Sequence, residues 1–194
     1  MRLSDKKEFK KDKIRVLPPP FDFSEIQKFE YEISKENNLD YIIFVGKLKK
    51  RKNIGILLKA LKIVIKTFHN LKLIIIGDGG EKNHIYRMVL SFNLKANVIF
   101  KGYVNKTKKF KLIKNAKILV LSSSQEGFGI VLAEALALSV PVISTNCGGP
   151  ADIIDDGETG YLVKIGDYQD MAKKIILLLQ DEKLRKQFGI RGQN

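Results

Sequence analysis

Tyr41-Ile42-Ile43-Phe44-Val45-Gly46 is an unbroken apolar run closed by a glycine. A strand with one solvated face alternates apolar and polar residues; a continuous run is what a strand covered on both faces requires. Downstream, Ile54, Leu57, Leu58, Leu61, Val64, Ile65 and Phe68 recur at helical spacing. Asn53 stands before them as the expected N-cap, and Lys59, Lys62 and Lys66 fall mostly off the apolar face.

The pattern then repeats. Residues 71–76 read as a strand stopped by Gly77-Asp78-Gly79-Gly80, 81–92 as a helix, 98–100 as a short strand and 106–115 as a helix. Residues 118–121 read as a strand, 128–138 as a helix, 140–144 as a strand and 151–154 as a short helix, before a last strand at 161–163 and a helix at 168–179. This alternation predicts an α/β fold, a Rossmann-like doubly wound parallel sheet of about six strands with helices on both faces. Such sheets bind ligands outside the C-terminal ends of their strands, and the Gly-rich turns fall at those ends. The expected domain is 39–194. Residues 1–38 read as a basic lead-in and linker, in which Pro18-Pro19-Pro20 favours polyproline geometry and Ser24 is placed to cap a short helix.

Composition limits the alternatives. A hydrophobic fraction of 44% is ample for a core, and one cysteine rules out a disulfide framework or a multi-cysteine metal site. The first thirteen residues are mostly charged, unlike a signal peptide, and no apolar stretch has the length of a membrane span. A cytoplasmic protein is expected. The net charge of +14 admits nucleic acid, anionic membrane or phosphorylated ligands as partners, or a solvated lysine-rich surface. The charge is uneven: between Lys117 and Lys164 there is no Lys or Arg, while Glu126, Glu134, Asp152, Asp155, Asp156 and Glu158 lie there.

Three strand-end loops carry candidate chemistry. Gly46-Lys47-Leu48-Lys49-Lys50-Arg51-Lys52-Asn53 puts five cations between a strand end and a helix N-terminus, a setting that favours phosphate; a solvated basic loop is the plain alternative. Gln125-Glu126-Gly127-Phe128-Gly129 leads into a helix whose Glu134 is surrounded by apolar residues, with no cation nearby in sequence. A buried carboxylate needs a partner: a distant Lys or Arg, backbone donors, or the hydroxyls of a ligand. Two carboxylates flanking a glycine turn suit a polyhydroxylated molecule, because an ionised carboxylate only accepts hydrogen bonds. Asn146-Cys147-Gly148-Gly149-Pro150 is a third rim loop, its thiol a small packing residue. Gly77-Asp78-Gly79 lacks the third glycine of a dinucleotide fingerprint at Asn83, and His69 and His84 have no metal-ligand spacing.

In order and spacing these motifs resemble the C-terminal domain of retaining GT-B glycosyltransferases, glycosyltransferase family 4. Residues 14–22, Ile-Arg-Val-Leu-Pro-Pro-Pro-Phe-Asp, look like that family's linker strand; Gly46-Lys47-Leu48 with Lys52 resembles its Gly-Arg-Leu-x-x-x-Lys turn; Glu126 and Glu134 stand in its Glu-x7-Glu spacing; Pro141-Val142-Ile143 and Gly148-Gly149-Pro150 match the next strand and loop. The resemblance implies that the chain binds a UDP- or GDP-sugar and transfers a hexose, with retention, to a glycan or lipid-linked acceptor, with no metal. It implies that Lys47 and Lys52 neutralise the leaving diphosphate and that Glu126 holds hydroxyls of the transferred sugar. Gly46, Gly127 and the amides of Phe128, Gly129 and Ile130 would line phosphate and sugar, Glu134 would bind ribose, and Tyr103 and Val104 would lie near the base. Lys47 replaces the usual Arg and lacks its bidentate fork; Asp152 replaces a Glu and Ser139 a Gly.

Family members carry an N-terminal acceptor domain that residues 1–38 are too short to build, so a separate N-terminal half is expected. The sequence also stops short of the family's closing helix, which crosses back to that half. The competing readings are a non-catalytic nucleotide-sugar-binding module or gene remnant, and a basic nucleic-acid-binding domain. The last lacks any recognition motif, so nucleic acid is not an expected partner. The lysine-rich lead-in suggests peripheral contact with an anionic membrane.

Overall fold

A computed structural model describes residues 39–193. The lead-in, with the proline run, the Ser24 cap and its proposed membrane contact, lies outside the described residues.

Six strands form one sheet in the order β3-β2-β1-β4-β5-β6, every pairing parallel. β1 (Tyr41–Val45) is central, with Ile42 between Leu73 of β2 (Lys72–Ile76) and Ile118 of β4 (Ile118–Leu121). β3 (Val98–Gly102) lies outside β2, and β5 (Val142–Thr145) and β6 (Gly160–Val163) follow β4. Ile42, Ile43 and Phe44 have no exposed surface, which is why the opening run has no polar alternation. Each such side chain contributes about 1.5–3 kcal/mol through burial.

Helices cover both faces. α1 (Ile54–Val64) turns Leu57, Leu58 and Leu61 inward and packs on α2 (Lys82–Ser91) and α5 (Tyr168–Gln180). α3 (Lys106–Lys114) and α6 (Glu182–Gln193) pack on α4 (Ile130–Ala137). The doubly wound parallel sheet expected from the alternation is the observed fold.

Local differences have local causes. Asn53 precedes α1 but its side chain caps nothing; it sits at φ 48° and closes a 3-10 turn (Lys50–Lys52) through its own N–H to Lys50 O. Asn tolerates this left-handed geometry better than most residues. α4 starts at Ile130, not at residue 128, because Gly129 lies at φ 89°, a conformation that interrupts the helix. β5 starts at Val142 because Pro141 has no N–H for a ladder; its carbonyl still accepts from Leu119 N. Residues 149–152 form a 3-10 turn rather than a helix at 151–154. α6 was not expected. Its Phe188 is 1% exposed and meets Tyr161 at 5.2 Å between ring centroids.

Candidate functional site

In this strand order the chain leaves β1 toward one edge and β4 toward the other, so the loops after β1 and β4 part and open a crevice at the strand C-termini. A cleft of 460 Å³ lies there, lined from the first loop by Gly46, Arg51 and Lys52 and from the second by Glu126, Gly127, Phe128 and Gly129. Ile130, Val131 and Glu134 of α4 and Lys109 of α3 complete its wall.

Backbone bonds fix the rim. Ser124 N donates to Arg51 O at 2.8 Å and Ser122 Oγ donates to Lys52 O at 3.0 Å, tying the two loops together. Glu126 N donates to Cys147 O and Gly149 N to Glu126 O, so the loop after β5 holds the glutamate from the other side. A Cβ on Gly149 would lie 2.3 Å from Gly127 O; only a glycine lets these two loops touch.

Cations and carboxylates interleave on this frame. Lys52 is 8% exposed, and its ammonium donates to Glu126 Oε2, which also accepts from Ser123 Oγ at 3.3 Å. Arg51 donates from Nη1 to Gln125 O at 3.0 Å and lies 3.9 Å from Glu126 Oε1. Glu134 is 7% exposed and pairs with Lys109, Nζ to Oε1, at 2.5 Å. The distant ion pair, one of the ways the sequence left open for satisfying Glu134, is thus present. The N-terminus of α4 has no side-chain cap and no acidic residue in its first turn. Gly129, Ile130 and Val131 bring the start of this helix into the cleft lining, where its remaining free N–H groups and partial positive charge suit an anion.

Most of the residues singled out in the sequence meet here: Gly46, Lys52, Glu126, Gly127, Phe128, Gly129, Ile130 and Glu134. Three do not. Lys47 is exposed outside the cleft lining; Tyr103 is 88% exposed; Val104 is half-buried against the core. Sequence reasoning missed Arg51 and Lys109 as wall residues. Arg51 was one cation among five, and Lys109 lies 25 positions from its partner. The only available signal was that Glu134 needed some partner, a distant cation being one of the options. Among the described residues, no cluster of three His, Cys, Asp or Glu side chains could hold a metal, and no helix is long and apolar enough to cross a membrane.

A six-stranded parallel sheet with a cleft at its switch point is a Rossmann-like α/β fold, the architecture shared by the halves of GT-B glycosyltransferases. The chain belongs to the glycosyl transferases group 1 family, whose sequence profile matches residues 25–194. It is 36% identical over 168 residues to the capsular polysaccharide biosynthesis glycosyltransferase CapM of Staphylococcus aureus, covering 86% of this chain and 44% of CapM. Among solved structures it resembles a variant of S. aureus TarM in complex with fondaparinux, α-GlcNAc-glycerol and UDP, with TM-score 0.76 and 31% identity over 82% of this chain and 32% of TarM. It also resembles the C-terminal domain of the group 1 protein LpcC of Francisella tularensis, with TM-score 0.73 and 25% identity over 90% of this chain and 91% of that domain. The chain spans less than half the length of CapM.

Proposed function

We propose that this chain is the donor-binding domain of a retaining, family 4 glycosyltransferase, taking a hexose from a UDP- or GDP-sugar to a glycan or lipid-linked acceptor without a metal. One observation carries the reading: a buried lysine-carboxylate pair and a bare helix N-terminus share one cleft at the sheet's switch point. That combination suits a ligand with an anionic end and a hydroxylated end. UDP in the related TarM complex supports it.

In this reading the α4 N-terminus and Lys52 take the diphosphate, with Arg51 beside them in the wall and Lys47, outside it, contributing less. Glu126 accepts from hydroxyls of the transferred sugar and Glu134 from the ribose. Tyr103 and Val104, outside the cleft lining, lie near the base. The acceptor oxygen forms its bond to the anomeric carbon on the face from which the diphosphate oxygen departs, and the acceptor proton passes to that leaving oxygen. Positioning and charge stabilisation supply the acceleration. An N-terminal half carrying the acceptor completes the enzyme.

The test is the melting temperature of the full chain with UDP, GDP and their sugars, beside Glu134→Ala. A ligand at a hundred times its dissociation constant adds about 2.7 kcal/mol, a rise of roughly 5–10 °C at this size. A rise with one nucleotide, reduced by half or more in Glu134→Ala, supports the reading and names the base. A cooperative melt that no nucleotide moves overturns it.

A further inference from the structure

Lys109 and Glu134 both line the cleft, one from α3 and one from α4. An ion pair that only clamped two helices together would have no need to face the ligand space. Nor is a buried pair strong evidence of stabilisation, since desolvation offsets much of its attraction. The lysine is also held from behind: its Nζ lies 4.6 Å from the centroid of the Phe110 ring, itself 1% exposed. The ring face attracts a cation, so ring and carboxylate together fix the ammonium. In return, the ammonium fixes the carboxylate. An ionised carboxylate has about four acceptor sites on its two oxygens, and Lys109 engages Oε1. Acceptor sites remain for a second donor in the cleft.

We propose that Lys109 is a positioning residue: it anchors one oxygen of Glu134 so that the remaining acceptor sites meet the ribose hydroxyls of a nucleoside diphosphate, and it thereby sets the preference for ribo- over 2′-deoxyribonucleotides. The inference rests on the reading that the cleft takes a nucleotide. Without Lys109 the carboxylate is free to rotate, and the hydroxyl that distinguishes the two ligands loses its fixed acceptor.

The experiment is calorimetric titration of the full chain with UDP, GDP, their 2′-deoxy counterparts and inorganic diphosphate. The wild type should prefer the ribonucleotide by roughly tenfold or more, the usual scale of a hydrogen bond to a charged group. Lys109→Met should bring the two forms to within about twofold of each other and leave inorganic diphosphate binding unchanged. Glu134→Gln should do the same, and the double variant should discriminate no worse than either single one, because the two residues act as a unit. Should Lys109→Met not melt cooperatively, Lys109→Gln, which keeps one donor toward the carboxylate, is read instead and should lose at least half of the discrimination. Full ribose preference retained in the Lys109 variant overturns the inference while leaving the nucleotide reading intact. An equal loss of nucleotide and inorganic diphosphate binding also overturns it, making Lys109 a phosphate ligand. A wild type that binds no nucleoside diphosphate overturns both readings.

Discussion

The ammonium of Lys52 donates to Oε2 of Glu126, joining two loops whose residues stand 74 positions apart. Their side chains are only 10% and 12% exposed. Removing one partner strands a charge with little access to water, and breaking such a pair costs about 3 kcal/mol or more. Lys52→Met should therefore lower stability by roughly that amount in urea denaturation, and adding Glu126→Leu should restore most of it. If the pair holds the diphosphate end of the cleft, the double variant should remain folded and bind UDP or GDP at least tenfold more weakly. A double variant as unstable as the single one would mean that packing, not charge, governs this corner.

Arg51 and Lys47 make competing claims on the diphosphate. The family resemblance points to Lys47, whereas Arg51 lines the cleft with a guanidinium whose Nη1 reaches Gln125 O. Charge-assisted bonds from a forked guanidinium are the stronger kind. Arg51→Gln should weaken nucleoside diphosphate binding about tenfold, and Lys47→Gln by less than about threefold, because the latter side chain starts outside the cleft. Calorimetry on both variants decides between them; the reverse ranking would mean that Lys47 swings in when the ligand arrives.

Gly127 and Gly149 separate folding from binding. An added Cβ at Gly149 would meet Gly127 O at 2.3 Å and Phe128 Cα at 2.5 Å, whereas one at Gly127 would meet nothing within 4 Å. Gly149→Ala should cost about 1–3 kcal/mol through forced backbone movement. Gly127→Ala should leave the melting temperature within about 2 °C of wild type, since a change of some tenths of a kcal/mol shifts it no further, yet reduce nucleotide affinity if a phosphate packs against that bare backbone. Thermal melts with and without UDP read both effects.

Tyr41 gives the fold a boundary at high pH. Its hydroxyl donates to Leu112 O at 2.8 Å, and burial pushes its pKa up to about 12 from 10.0. The folded chain keeps this proton while the unfolded chain loses it. The contribution is therefore fully present below pH 10 and is lost as pH rises toward 12. Urea denaturation across that range should show the decline, and Tyr41→Phe should make it shallower, leaving the part due to Tyr161, whose pKa burial also raises.

The sequence made the fold legible wherever one local cause acted alone. Tyr41 to Val45 announced a strand covered on both faces because nothing polar interrupted it. The periodic leucines of α1 announced a helix in the same way. α6 stayed hidden because Phe188 is the one large side chain that it fully buries, set among charges and two glycines, Gly189 and Gly192. At the site, the glycine turn and both glutamates were legible from their chemistry. Lys109 was not, because its pairing with Glu134 arises only when α3 packs on α4, and no spacing rule links the two positions.

The order of the strands has a further consequence for how the cleft comes into being. Its two walls follow β1 and β4, and Ile42 and Ile43 of β1 pair with Ile118 and Leu119 across a stretch of chain that holds β2 and β3. Residues 126–134 supply one wall, and the facing wall of Gly46, Arg51 and Lys52 reaches it only through the sheet. The cleft therefore depends on long-range pairing and is lost when the sheet unfolds. Bound nucleotide would therefore tax the opening of the whole sheet, and its occupancy would report whether the domain has folded to completion.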